Sequence, residues 1–468
     1  MLKELSAKST KTWVLVLTSL ASFMVALDAL VVSTALSTIR RDLGASIEEL
    51  EWTVNAYSLS FAVLLMTGAA LGDRFGRRRL FVAGLGLFVA ASAMCALAPT
   101  MGWLIAARAI QGCGAALVMP LAVTQLSVAF PPEQRARALG AFSGVTGLAV
   151  LAGPVVGGAI AGGLAWQWIF WLNVPIGLLV VPLVFRRIPE SFGPRTAPDI
   201  GGMLLVTGAA LGVVWGLVRG NRAGWGSLEV VGALTAGFPL AVAFVAWERR
   251  ARAPMLPLRF FHSRAFSAGN AAGFLFFASL YGSAFFLAQF LQTALGYGPL
   301  GAGLRLLPWT AMLFVSAPVA GILINRFGER TLMVGGLLLQ AVAMAWIALI
   351  ARPDLAYPEL VAPLMIAGFG AAAIPAGQNA VVSSVATNEI GKASGAFNML
   401  RQLGGAFGVA ILAAVFATTG SFSSAQAFSA GFAPAIGVSA ALSLVGAVAG
   451  IGLPSRREVA LALAKAKA

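Results

Sequence analysis

Long apolar runs constrain this chain more than any other feature. Reading them against polar, glycine- and proline-rich breaks gives fourteen segments. They fall near 13–36, 52–72, 80–98, 102–128, 137–161, 166–185, 200–218, 228–247, 267–295, 301–324, 331–350, 358–384, 394–417 and 430–453. Each is close to or beyond the length of about 20 residues that carries a helix across a bilayer. Inside lipid a helix satisfies its own backbone hydrogen bonds, so segments of this kind are expected to be helical. Only 10% of the 468 residues are charged, against about 25% in soluble domains. That excludes a soluble enzyme, a disordered chain and a secreted disulfide scaffold. The expectation is an all-α polytopic membrane protein.

An even number of spans puts both ends on one side, and the basic residues choose which. Of 32 lysines and arginines, 24 fall in one alternate set of loops and ends, including Arg195, Arg457, Lys465 and Lys467. Five fall in the other set: Arg40, Arg41, Arg219, Arg222 and Arg352. The remaining three, Arg108, Arg305 and Arg401, lie inside spans. By the positive-inside rule both termini are cytoplasmic. The net charge of +15 is therefore mainly a topology signal. A nucleic-acid partner would need a basic patch clustered on a soluble domain. The first span follows Lys3, Lys8 and Lys11 like a signal peptide, but it is too long for an h-region and is read as retained. Cys95 and Cys113 sit at depths differing by roughly 12 Å of helical rise, too far apart for a disulfide.

The chain repeats itself. Gly72-Asp73-Arg74-Phe75-Gly76-Arg77-Arg78 returns 252 residues later as Ile324-Asn325-Arg326-Phe327-Gly328-Glu329-Arg330. Gly112-Cys113-Gly114-Ala115-Ala116 returns 256 residues later as Gly368-Phe369-Gly370-Ala371-Ala372, and Glu133 as Glu389. Repeated membrane halves are a signature of secondary transporters. The expected organisation is a six-helix bundle (1–185), two extra helices with a cytoplasmic linker (186–266), and a second six-helix bundle with a short tail (267–468).

These residues, with five further motifs, resemble the major facilitator superfamily, specifically its fourteen-span drug:proton antiporter branch. Gly72–Arg79 looks like the superfamily's cytoplasmic loop motif, although Ala69 stands where a glycine usually leads it. Leu27-Asp28-Ala29-Leu30-Val31-Val32 is similar to the branch's acidic first-span motif. Arg108-Ala109-Ile110-Gln111-Gly112 resembles the intramembrane arginine motif, and Gly153-Pro154-Val155-Val156-Gly157-Gly158 the antiporter motif. Trp168–Gly177 matches the sixth-span pattern, and Gln292–Tyr297 with Pro308 its second-half counterpart. The resemblance implies a major-facilitator fold in a bacterial cytoplasmic membrane. It further implies proton-coupled efflux of small amphiphilic or cationic molecules by alternating access. The alternative is a proton-coupled metabolite or lipid transporter with import or single-substrate specificity.

The residues carry their own chemistry beside that resemblance. Asp28 is the only carboxylate deep in an expected span, where a charge costs at least about 2.5 kcal/mol on insertion scales. Helical rise places Arg108 at nearly the same depth, roughly 9 Å from the outer face against roughly 12 Å for Asp28. Desolvation favours the neutral acid and a nearby guanidinium favours the carboxylate, so a change of geometry can move a proton. The plainer reading is a static ion pair joining the two spans.

In the antiporter motif, Pro154 removes a helix N–H while Gly153, Gly157 and Gly158 permit close packing. By the resemblance, this packed kink seals the outer end against proton leak. Asp73 among Gly76, Arg77 and Arg78 could cap a neighbouring helix; the resemblance makes the loop a conformational latch, with Arg401 or the start of the thirteenth span as candidate partners. Gln111, Gln289, Gln292, Asn398 and Trp309, with Phe274 and Phe277, are candidate substrate contacts alongside Asp28. The amides could equally bond only to neighbouring helices.

The expected partners are protons, a lipophilic or cationic small molecule and membrane lipids, with no cofactor beyond the proton gradient, no metal and a monomeric state. An enzyme is not expected. His262 is the only histidine, and no metalloprotease or serine-hydrolase motif occurs. A transporter-like sensor would be expected to carry a soluble signalling domain, and only 15 residues follow from Pro454.

Overall fold

The computed structural model describes residues 2–193, 197–386, 389–456 and 458. Arg195, Arg457, Lys465 and Lys467 lie outside the described residues. The described residues are helical with short turns and no strand. In chain order the α-helices are α1 (Leu2–Leu43), α2 (Ile47–Phe75), α3 (Arg77–Ala96), α4 (Met101–Ala129), α5 (Pro132–Gly163), α6 (Trp168–Trp171), α7 (Asn173–Arg187), α8 (Ile200–Ala223), α9 (Leu228–Glu248), α10 (Arg264–Thr293), α11 (Pro299–Arg305), α12 (Leu307–Phe327), α13 (Glu329–Ile350), α14 (Tyr357–Phe369), α15 (Ala373–Ser383), α16 (Ile390–Thr419) and α17 (Ala425–Ile451).

Fourteen stretches are long and apolar enough to cross a membrane, as expected. Three are not continuous helices. The sixth is α6 followed by α7. The tenth expected span divides into α11 and α12 around Leu306, where Pro308 can donate no helix N–H. The twelfth passes through a 3₁₀ turn at Gly370–Ala372 between α14 and α15. Large apolar side chains such as Leu228, Phe238 and Leu349 point outward, which suits lipid rather than water.

The chain divides into two compact units. The first comprises residues up to Thr207 with Arg250–Met255 and Gly298–Gly303, and the second comprises the remainder. In the first, Phe81, Leu85, Phe88, Val118 and Leu121 form part of the apolar core. In the second, Phe290 stacks on Phe432 with ring centroids 4.1 Å apart, and Phe286 and Phe428 both pack on Phe416. The extra pair α8 and α9 is joined through a four-residue glycine ladder. A Cβ at Gly212 would lie 2.8 Å from the Ala233 carbonyl oxygen, and one at Gly216 would lie 2.5 Å from the Leu234 side chain.

The sequence repeat is a repeat of packing. Gly76 (φ +109°) and Gly328 (φ +80°) turn the chain between α2 and α3 and between α12 and α13. Side chains rarely tolerate this left-handed backbone. Within its own unit each turn is covered by the segment after the last helix of its half, Glu190 over Gly76 and Arg456 over Gly328. Gly114 likewise packs on Gly84 and Phe88, and Gly370 on Gly336 and Gln340. The two units differ in polarity. At the 252-residue offset, Asp28 becomes Leu280, and the second unit's buried polar knot is the uncharged set Ser279, Ser283, Ser439, Ser443 and Gln340.

Candidate functional site

Five segments of the first unit converge on Asp28. Gly112 lets α4 approach α2 closely, since a Cβ there would lie 2.4 Å from the Tyr57 carbonyl oxygen. Gly177 does the same for α7 against Val89 of α3. That approach brings Arg108 to Asp28: Nη1 of Arg108 donates to Asp28 Oδ2. Both side chains are 1% exposed. The other carboxylate oxygen, Oδ1, accepts from Gln111 Nε2 and Asn173 Nδ2, each at 2.8 Å.

The shell around this pair is closed. Gln111 Oε1 accepts from Arg108 Nη1 at 2.6 Å, and Gln111 Nε2 also donates to Ser92 Oγ at 2.7 Å. Cys95 lies 3.7 Å from the same Gln111 oxygen. Arg108 Nε donates to the Thr53 carbonyl at 3.2 Å, while its guanidinium carbon lies 4.2 Å from the Tyr57 ring centroid and 5.8 Å from that of Phe170. Burying two such ions costs several kcal/mol each, which mutual attraction recovers only when the remaining donors and acceptors are satisfied. Here they are satisfied by two amides, a backbone carbonyl and an aromatic face. Chemically, the site stabilises a carboxylate in a dry interior and holds, on a neighbouring helix, the cation that would be orphaned by its protonation.

The structure thus brings together Asp28, Arg108 and Gln111. Both amide atoms of Gln111 are occupied within this network. Asn173, Ser92, Tyr57 and Thr53 complete the site and were not singled out from sequence. Asn173 stands inside the Trp168–Gly177 motif, and an amide within an apolar run is the signal that could have marked it. The other sequence-named contacts belong to the second unit. Gln289 donates to Phe285 of its own helix while its Oε1 is buried without a partner. Asn398 donates to the Ser394 carbonyl, and Gln292 to that of Ala288. Trp309 is buried with its indole N–H unpartnered. Phe274 packs on Phe407, and Phe277 lies between Tyr281 and the Arg401 guanidinium.

At the cytoplasmic-motif turn the structure corrects one expectation. Among the described residues Asp73 caps no helix; it accepts from Arg77 Nε at 2.8 Å, one turn on. It sits in the last turn of α2, where the helix dipole offers a carboxylate nothing, so the nearby guanidinium takes it. The acid that caps α3 is Glu190. Its Oε1 accepts from the Arg78 backbone N–H at 2.8 Å and its Oε2 from that of Arg79 at 3.3 Å. Arg78 in turn donates to the Ile188 carbonyl and covers the Phe185 ring.

In the antiporter motif, Gly153 and Gly157 pack on α1, and Gly158 packs on the Pro299–Leu300 backbone. A Cβ at Gly157 would lie 2.5 Å from the Val31 carbonyl oxygen, and one at Gly303 would lie 2.2 Å from that of Pro154. Cys95 and Cys113 are both free thiols, as their depths required.

The family model described as Major Facilitator Superfamily matches residues 18–409. The chain belongs to that superfamily. Curated relatives agree, and the fourteen spans fit its fourteen-span branch. The tetracenomycin C resistance and export protein of Streptomyces glaucescens is 37% identical over 84% of this chain and 74% of its own length. The cephamycin export protein CmcT of Amycolatopsis lactamdurans is 37% identical over 88% and 86%. The multidrug resistance protein Stp of Mycobacterium tuberculosis is 33% identical over 87% and 76%. Solved superfamily structures share the fold at low identity. A POT family transporter in complex with 5-aminolevulinic acid gives a TM-score of 0.70 at 15% identity, covering 94% of each chain. A D-xylose-proton symporter gives 0.66 at 16%, covering 95% of this chain and 98% of its own.

Proposed function

We propose that this superfamily member is a proton-driven exporter of small amphiphilic or cationic molecules in a bacterial cytoplasmic membrane, working by alternating access. The observation that carries the reading is the dry carboxylate of Asp28, held by Arg108, Gln111 and Asn173. An acid so placed can trade its ion pair for a proton when the surrounding helices move. Export as the direction is supported by the relatives named for resistance and export. The driving force suffices. One charge crossing about 100 mV supplies about 2.3 kcal/mol, enough for a gradient of roughly fiftyfold in a neutral substrate.

Arg108 tunes the proton affinity of Asp28. The packed glycines around Pro154 hold the outer end closed to protons. Asp73, Gly76, Arg77 and Arg78 form the conformational latch, in which the Asp73–Arg77 pair is the part able to exchange partners. Among the substrate candidates, Gln289 and Trp309 retain unused polar atoms for a ligand.

The test is proton release from inverted vesicles on addition of a panel comprising ethidium, tetraphenylphosphonium and tetracenomycin C. Wild type is expected to respond to at least one compound, and Asp28→Asn to none. The double variant Asp28→Asn/Arg108→Gln guards against a folding loss from the orphaned arginine and is expected to be equally silent. A panel-wide absence of response in wild type, or a full response in Asp28→Asn, overturns the reading.

A further inference from the structure

A second buried acid sits on α2. Expected at the edge of a span beginning at residue 52, Glu51 is instead inside the helix, because the Ser46–Glu49 capping box starts α2 at Ile47. Asp28 is therefore not the only carboxylate buried in a span. Glu51 is 3% exposed, its Oε2 is buried without a hydrogen-bond partner, and it has no ion-pair partner among the described residues. One turn on, Asn55 is 0% exposed and neither of its amide atoms has a partner.

Helical spacing puts Glu51 and Asn55 on one face, opposite the Thr53–Tyr57 face that receives Arg108. The Thr53 carbonyl bound by Arg108 marks the level: Glu51 lies about 3 Å outward of it and Asn55 about 3 Å inward. Within the first unit, α1, α3 and α4 pack on α2. They offer Asp28, Arg40, Arg41 and Asp42 from α1, Cys95 from the outer half of α3, and Arg108 from α4. Arg108 is committed to Asp28. On α2 itself, Glu48 precedes Glu51 by one turn, and Glu49 is tied to Ser46. A buried carboxylate with neither cation nor donor is heavily penalised, and holding a proton removes the penalty.

We propose that Glu51 is a second proton-carrying acid of the transport cycle, with Asn55 as the polar relay one turn deeper. The carboxyl O–H bond breaks to give its proton to water, leaving the carboxylate, and water returns a proton to close the cycle. The coupling part of this proposal rests on the export reading; the presence of an exchangeable proton on Glu51 does not.

Infrared pH-difference spectra of the purified full chain in lipid nanodiscs read the proton directly. Wild type and Asp28→Asn are expected to show a protonated-carboxyl band, shifted in heavy water, that Glu51→Gln lacks and Glu51→Asp displaces. In vesicles with ethidium as the probe, protons released per ethidium moved are expected to fall about twofold in Glu51→Gln. A Glu51→Gln spectrum identical to wild type overturns the proposal, as does an undisplaced band in Glu51→Asp should the glutamine variant not fold. An unchanged proton ratio overturns its coupling part. Wild-type silence toward the whole substrate panel would sink the export reading instead, and the infrared band would still decide on Glu51.

Discussion

Asp28 is held by donors of unequal kind, and the neutral ones are the more informative. Arg108 supplies charge, but Asn173 supplies position: its amide bridges Asp28 Oδ1 and, at 3.3 Å, Ser92 Oγ. A hydrogen bond to a charged group is worth about 1.5–3 kcal/mol, and its loss leaves a buried acceptor short of a partner. Asn173→Ala is therefore expected to lower stability by about 1.5–3 kcal/mol, read as a drop in thermal unfolding midpoint in detergent. Asn398→Ala is the control, because that amide bonds only the Ser394 carbonyl of its own helix, and its effect should stay within about 0.5 kcal/mol. Equal losses in the two variants would mean that Asn173 merely fills space. Asp28 and Arg108 were legible from sequence because a charge inside an apolar run announces itself, and helical rise converts residue counts into depth. Asn173 and Ser92 were not, because neutral polar side chains occur in many spans and only tertiary packing shows which face they occupy.

At the scale of elements, glycines decide how near two helices come. Gly157 meets the Val31 carbonyl oxygen and Thr34 Oγ1 of α1, both within 2.5 Å of where a Cβ would stand, whereas nothing lies within 4 Å of such a position at Gly144 on the same helix. Gly157→Ala must therefore separate backbones and is expected to cost about 1–3 kcal/mol. Gly144→Ala is expected to be neutral or to gain up to about 1 kcal/mol from helix propensity. Thermal midpoints of the two variants in one detergent check this, and a neutral Gly157→Ala would remove the close approach as the reason for the motif. The fourteen spans could be read because apolar length is a property of contiguous residues. The Ser46–Glu49 box that lengthens α2 and the Pro308 at the break between α11 and α12 are local signals, whereas the capping of α3 by Glu190 depends on a distant partner that contiguous composition does not reveal. Asp73 was named for a capping role that Glu190, 112 residues from Arg78, performs.

For the whole molecule, the repeat and the charge distribution carry different information. The repeat places matching glycine contacts in both units, yet the buried Asp28–Arg108 pair belongs to the first and the buried hydroxyl cluster to the second. The fold is thus duplicated while the Asp28–Arg108 pair is not. Charge also orients the chain. Because 24 of 32 basic residues fall on one side of the alternating loops, both ends are expected in the cytoplasm, where short basic segments resist translocation. A fluorescent protein fused after Ala468 should mature and glow, and alkaline phosphatase inserted beside Asp354, in the loop between α13 and α14, should be active. The inverse pattern, an active phosphatase after Ala468 and a silent one at Asp354, would reverse the topology. It would also turn the Asp73–Arg77 turn toward the outer face, which would remove the proposed cytoplasmic latch.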